Sequence, residues 1–143
     1  MIKYCELLIA VTCKENDNIV GIAKKMRDKE IRHIYVIDDN ESPLGIISTT
    51  DITNRVVAEG RDINLTIAKE IMTSPIKSIN ENEDVKSAYG YMGQNNHFAI
   101  LVVDDKNQIK GVLTFNEAFK KLSSKMMNKQ AEIGKTIEES LGE

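Results

Sequence analysis

The sequence predicts a two-layer α+β (α/β) protein, built from tandem β-α-β-β-α repeats that pack sheet to sheet with pseudo-two-fold symmetry. Three observations carry that prediction. The chain repeats itself, since a shift of 66 residues lays positions 12–52 onto 78–118 without a gap. Each copy alternates short apolar runs with helical stripes of apolar residues. Each copy also closes on an apolar run that turns at a hydroxyl residue into a helical pattern. That corner reads Gly45-Ile46-Ile47-Ser48-Thr49-Thr50-Asp51-Ile52 in the first copy and Gly111-Val112-Leu113-Thr114-Phe115-Asn116-Glu117-Ala118 in the second.

The repeat is strongest at turns and core positions. Glu15-Asn16 falls on Glu81-Asn82, Met26 on Met92, Ile34 and Val36 on Ile100 and Val102, Asp38-Asp39 on Asp104-Asp105, and Gly45 on Gly111. Two copies are fewer than the three that a solenoid needs, so a closed two-unit body is expected. A unit of about 60 residues buries too little surface to stand alone. The halves should therefore cover each other's sheets and leave two symmetry-related clefts. The expected divisions are residues 5–66 for the first repeat, 67–122 for the second and 123–143 for a helical tail.

Taken in order, residues 7–11 read as a short apolar strand. Asn16 or Asp17 should cap a helix whose stripe is Ile19, Ile22, Ala23 and Met26. Residues 33–37 form the next strand and residues 44–47 its hairpin partner, bounded by Asp38-Asp39-Asn40 and Pro43. A helix over 49–59 carries Ile52, Val56 and Val57 on one face and ends at Gly60. Residues 61–69 read as a linker with a helical turn. The second copy gives a helix over 84–94, strands at 98–103 and 109–113, and a helix from Phe115. Gly90 and Gly93 weaken its first helix by about 1 kcal/mol each relative to Ala. Beyond the repeat, Leu122, Met126, Ile133, Ile137 and Leu141 make a helical stripe interrupted by Gln130 and weakened by Gly134. Alone it would be marginal; it packs along a dimer, docks a partner, or frays.

Composition narrows the function. The 143 residues are 41% hydrophobic and 29% charged, with a net charge of −3 and no basic block. That balance gives no nucleic-acid surface. No apolar run approaches the roughly 20 residues that span a membrane, and Met1-Ile2-Lys3-Tyr4-Cys5-Glu6 has no signal-peptide core, so a cytoplasmic protein is expected. Cys5 and Cys13 read as a buried, reduced pair with no metal-ligand spacing around them. His33 and His97 have no carboxylate or serine at catalytic spacing, so the chain is not expected to be an enzyme or to carry a catalytic cofactor or metal. His97 at a helix end fits a partner of the helix dipole. The methionines at 72, 92, 126 and 127 fit core or dimer packing.

The corner after residue 47 carries the chemistry. A strand feeding a helix N-terminus leaves free N–H groups at an open spot, and a carboxylate one turn in could accept from neighbouring sugar hydroxyls. Ser48-x-x-Asp51 equally fits a capping box, in which Asp51 returns to the Ser48 N–H. Arg55, four residues on, could also pair with Asp51 and compete with a sugar. The duplication favours a binding unit.

These residues resemble a known family. The Gly45-to-Ile52 stretch resembles the Gly-hydrophobic-hydrophobic-Ser/Thr-x-x-Asp-hydrophobic signature of the cystathionine β-synthase (CBS) domain. Ile31-Arg32-His33-Ile34-Tyr35-Val36-Ile37-Asp38 resembles the segment before it, and Ile71-Met72-Thr73-Ser74-Pro75 the lead-in to a second copy. The likeness covers residues 5–122. It implies a stand-alone CBS pair, a regulatory module that binds an adenosine-containing ligand, forms a homodimer and biases a partner enzyme or transporter. AMP, ADP or ATP is the ligand the resemblance implies first, with S-adenosylmethionine the alternative. Asp51 would then accept from the ribose, with Ser48 and Thr50 holding ribose or phosphate. Ser74, Pro75, Ile76 and Ser78 would flank the adenine, Ile46 and Ile47 would lie near its face, and Arg32, His33 or Lys77 would meet phosphate. A ligand-free dimerisation scaffold is the competing reading.

The second corner departs from the signature. Glu117 stands where Asp51 does, its carboxylate carried more than about 1 Å further by one methylene. Thr114-x-x-Glu117 makes the better capping box on paper. Phe98 and Ala99 replace Arg32 and His33, and the opening run is wholly apolar. A weaker second site at Thr114, Asn116 and Glu117 is expected, and so an asymmetric pair.

Overall fold

The structure is a computed structural model and describes residues 1–141. The apolar runs pair into two three-stranded sheets. In the first, β1 (Thr12–Lys14) lies parallel to β2 (His33–Ile37), which is antiparallel to β3 (Pro43–Ser48). In the second, β4 (Ser78–Asn80), β5 (Ala99–Val103) and β6 (Ile109–Thr114) repeat the same order and sense. The sequence displacement survives in the register. Thr12 faces Tyr35 and Ser78 faces Leu101; the bulge falls between Val36 and Ile37 in one sheet and between Val102 and Val103 in the other.

Helices cover one face of each sheet. α1 (Ile19–Asp28) crosses from β1 to β2, and α4 (Val85–Asn95) from β4 to β5. After β3 the chain turns into α2 (Thr49–Asp51), widens into a π-helical turn at Ile52–Val57 and leaves at Gly60, whose φ of +66° suits glycine. α3 is the single turn Ala68–Ile71, and α5 (Phe115–Leu141) follows β6. The helical tail expected from residue 123 continues the helix that opens at Phe115, since α5 runs unbroken through that position. Its many Lys, Glu, Ala and Met residues outweigh Gly134.

Asn18, not Asn16 or Asp17, caps α1. Asp17 is spent on the preceding turn, where its Oδ2 accepts from Lys14 N–H at 2.9 Å. Asn18 Oδ1 accepts from Val20 N–H at 2.8 Å, while its amide donates to the Ile63 and Asn64 carbonyls at 3.1 Å. One side chain thus starts a helix and anchors the connector between the repeats. Asn18→Ala should cost about 1–2 kcal/mol, read as a lower urea midpoint at unchanged slope.

Three cores result. Ile22, Met26, Ile34, Val36, Ile47 and Val56 fill the first, and Met92, Ile100, Val102, Leu113 and Ala118 the second. Alternation along the strands sends Tyr35, Leu101 and Val112 to the opposite faces, where the sheets meet with Ala10, Ile46, Ile76 and Ala99 around them.

The lead-in to each repeat is exchanged. Ala68 and Ile71 of α3 lie in the first core, and Ile2 lies in the second, each 0% exposed. The anchoring is the same on both sides. Ala68 and Lys69 N–H donate to the Asp17 and Glu15 carbonyls at 2.9 Å, and Ile2 and Lys3 N–H donate to those of Glu83 and Glu81 at 3.0 and 2.8 Å. Thr73 then bridges to Ile46 of β3, and Leu8 to Val112 of β6. α3, which follows the expected division at 66/67, thus packs in the core of the first unit. The strand expected at 7–11 reduces to the Leu8 bridge, with Ile9 90% exposed, and pairing with β2 is carried by Thr12–Lys14.

The same exchange separates the cysteines. Cys13 is buried in the first core, where burial pushes its thiol up to about 11, while Cys5 is half-buried against the second. They are not a pair.

Candidate functional site

β3 ends where the exchanged lead-in crosses it, and the corner is set there. Ser48 caps α2: its Oγ accepts from Asp51 N–H at 3.0 Å, and Asp51 Oδ2 accepts from Ser48 N–H at 2.8 Å. Both halves of the capping box are made. Asp51 Oδ1 lies 3.6 Å from Arg55 Nε, and Arg55 Nη1 donates to the Ile71 and Met72 carbonyls at 3.1 and 3.2 Å. The acidic group is thereby linked through one arginine to the lead-in of the other repeat. A carboxylate has about four acceptor positions, so Asp51 keeps capacity beyond the Ser48 hydrogen bond and the Arg55 ion pair.

Ser48 and Asp51 open into a cleft between the two units of about 510 Å³, lined also by His33, Tyr35, Ile46, Thr73, Asn96, His97, Phe98 and Ala99. A second hollow of about 260 Å³ shares Tyr35, Ile46, Thr73, His97 and Ala99 with it and adds Pro75, Ile76, Lys77 and Tyr91. Together they form one groove with an apolar floor and polar walls, the form usual for small-molecule sites. Burial pushes the Tyr35 phenol up, so it stays a neutral hydrogen-bonding group. Lys77 Nζ sits 5.2 Å over the Tyr91 ring, and His97 packs edge-on to that ring at 5.7 Å. Both histidines of the chain line this one groove.

The structure thus brings together Ser48, Asp51, Ile46, His33, Pro75, Ile76 and Lys77 of the expected residues. It does not bring in the others. Ile47 is 0% exposed in the first core, because neighbouring strand residues face opposite ways. Thr50 is exposed and outside the lining; Arg32 is exposed too and meets the corner only through its carbonyl, which accepts from Thr49 N–H at 3.0 Å. Ser74 turns away, donating to the Leu44 carbonyl at 2.9 Å, and Ser78 sits within β4 opposite Leu101. The repeat alignment places Phe98 and Ala99 at the second corner, opposite Arg32 and His33 of the first. Together with Asn96 and His97 they line the first, because the α4–β5 turn reaches across the unit boundary. Asn96 makes that turn in the left-handed conformation, with φ of 55°.

The second corner is built otherwise. Thr114 Oγ1 accepts from Glu117 N–H at 3.1 Å, but the Glu117 carboxylate does not return to close the box. The extra methylene carries it to the first lead-in, where Oε2 accepts from Glu6 N–H at 2.8 Å. Asn116 is exposed. The positions matching His33, Tyr35 and Ile46 are Ala99, Leu101 and Val112, all apolar.

The sequence profile of the CBS domain matches residues 9–58 and 68–124, which is most of the chain and both repeats. The chain belongs to the CBS domain family. Its CBS pair superimposes on one solved in complex with 5′-methylthioadenosine and S-adenosyl-L-methionine, at a TM-score of 0.70 and 25% identity over 87% of this chain and 97% of that one. A CBS domain protein from Pyrobaculum aerophilum complexed with AMP shares the fold at a TM-score of 0.68 and 22% identity, over 81% and 88% of the two chains. Among curated relatives, an uncharacterized protein of Methanopyrus kandleri is 28% identical over 75% of this chain, which spans 55% of its length. A homoserine O-acetyltransferase of Methanocorpusculum labreanum is 31% identical over 71% of this chain, which spans only 20% of that enzyme. Among the described residues no helix is long and apolar enough to cross a membrane, and no three His, Cys, Asp or Glu side chains cluster for a metal.

Proposed function

We propose that the groove at Ser48 and Asp51 binds an adenosine-containing small molecule, an adenine nucleotide such as AMP first, and that this CBS pair acts as a regulatory sensor for a partner enzyme or transporter, working as a homodimer. The observation that supports it most is the convergence of an acidic corner, two histidines and an apolar floor on one cleft between the repeats. Tyr35, Ile46, Pro75, Ile76 and Ala99 offer flat apolar surface for a base. Asp51 keeps lone pairs for a ribose diol, while His33, Asn96, His97 and Lys77 supply donors for a phosphate or carboxylate further along. Thr50, Ser78 and Arg32 have no part in this reading. Two CBS pairs solved with adenosine-bearing ligands share the fold, which supports adenosine as the common element.

Sensing follows from the Asp51–Arg55 link. A diol at Asp51 competes with Arg55, and Arg55 holds the carbonyls of Ile71 and Met72. Occupancy therefore acts on the lead-in that joins the repeats. In a thermal-shift panel of AMP, ADP, ATP, 5′-methylthioadenosine and S-adenosylmethionine, a ligand at 100 times its Kd should stabilise the chain by about 2.7 kcal/mol. If no member moves the transition, the scaffold reading takes its place.

A further inference from the structure

We propose that the Tyr35 hydroxyl hydrogen-bonds the C6 substituent of a bound purine, so that the groove selects nucleosides by the edge of their base. The proposal rests on the adenosine reading above and deepens it by naming the group that recognises the base. Tyr35 is only 7% exposed, on the face where the two sheets meet. Among the described residues its hydroxyl makes no hydrogen bond, and no side-chain oxygen or nitrogen sealed from solvent lacks one. The unpartnered oxygen is therefore the part of Tyr35 that opens into the groove, where the residue lines both hollows. Packing does not call for it. The 66-residue shift lays Tyr35 on Leu101, which fills the equivalent place at 1% exposed with no polar atom in its side chain. The side chains around Tyr35 in that core, among them Leu101, Val112, Ile46 and Ile76, are apolar and offer the hydroxyl nothing. A nearly buried hydroxyl without a partner gains when a ligand supplies one.

Register sets what the hydroxyl meets. In the first sheet His33 faces Ser48 and Tyr35 faces Ile46. Two residues along a strand cover about 7 Å, and residues two apart share a face. The Tyr35–Ile46 pair thus stands one step further along the groove than the corner that carries Asp51. The corner hollow and the hollow at Pro75, Ile76 and Tyr91 share that pair. A nucleoside with its diol at Asp51 and its base against Ile46 carries the far edge of the base past Tyr35. Adenine presents its amine there, and a neutral phenol accepts from an amine or donates to an oxygen. At the second corner Leu101 leaves that edge unread.

The test measures AMP, 5′-methylthioadenosine and purine riboside 5′-monophosphate, which lacks the amine, by calorimetry on the wild-type chain and on Tyr35→Phe. The proposal predicts that the wild type holds AMP about tenfold tighter than the analogue. Tyr35→Phe should weaken both adenine ligands about tenfold and leave the analogue unchanged, closing the gap. Without ligand, Tyr35→Phe should keep or raise the urea midpoint, since no hydrogen bond of the folded chain is lost. Adenine ligands held equally by both chains, or a gap that persists in Tyr35→Phe, overturn the proposal and leave the adenosine reading standing. A lower midpoint for ligand-free Tyr35→Phe overturns it as well, because the hydroxyl would then be spent within the fold. A wild-type chain that takes up neither AMP nor 5′-methylthioadenosine overturns both.

Discussion

Gly45→Ala should unfold this protein several degrees early, although it adds a single methyl group. A Cβ built at Gly45 lies 2.7 Å from the Thr73 carbonyl oxygen and 2.9 Å from Met72 Sδ. The nearer atom is backbone, and it belongs to the bridge in which Ile46 N–H donates to the Thr73 carbonyl at 3.0 Å and Thr73 N–H to that of Ile46 at 2.8 Å. Relief requires the exchanged lead-in to move away from β3, which breaks that bridge and shifts Ile71 in the first core. Overpacking of this kind costs about 1–3 kcal/mol, and a backbone obstacle places it near the upper figure. For a domain of this size that is roughly 10 °C in Tm. Gly111→Ala should behave alike, since its Cβ would lie 2.8 Å from the Leu8 carbonyl oxygen. Gly21→Ala supplies the contrast. Its Cβ meets nothing within 4 Å, and it lies inside α1, so it should stabilise by about 0.5–1 kcal/mol. Opposite signs from the same substitution, read by calorimetry, would isolate the close crossing as the cause.

Asp51→Ala should abolish the response to the adenosine ligand and lower stability only slightly. The stability part comes from the capping box: Ser48 N–H loses its 2.8 Å acceptor, while Ser48 Oγ still accepts from residue 51 N–H. Loss of one such bond at a helix start costs about 1 kcal/mol. The binding part is far larger, because the carboxylate that would meet the diol is gone and the stabilisation of about 2.7 kcal/mol at 100 times Kd goes with it. Asp51→Asn separates the two effects. Its amide oxygen can still cap, so stability should be nearly kept while the ligand response falls. A thermal shift retained in full by Asp51→Ala would remove this residue from the site.

Much of the fold is legible in the residues themselves. β2 is where the apolar run 33–37 places it, and Gly60 ends the first unit's second helix region as its position suggests. The repeat alignment carries over to strand register and to the bulges, because turn and core identities at Asp38, Asp104, Gly45 and Gly111 are what set register. What escapes is which unit a segment joins. Leu7 is apolar because it packs into the second core and not the first, and periodicity is the same in either case. The same blindness hides Asn96 and His97 from the first cleft, since nothing local marks a turn that crosses to another unit. Ile47 was within reach of sequence reasoning: Ile46 faces the cleft, so its neighbour on an extended strand must face the core. Glu117 was not, because its carboxylate is held by the backbone of Glu6, 111 residues away along the chain.

The most direct measurement is a backbone-amide NMR titration of the full chain with AMP and, separately, with 5′-methylthioadenosine. The account predicts that the largest shifts gather at Ser48, Asp51, Thr73, Asn96 and His97, fade at the Thr114–Glu117 corner, and vanish in Asp51→Ala. Shifts centred on Thr114 and Glu117, or a saturating titration that leaves Ser48 and Asp51 unmoved, would contradict it.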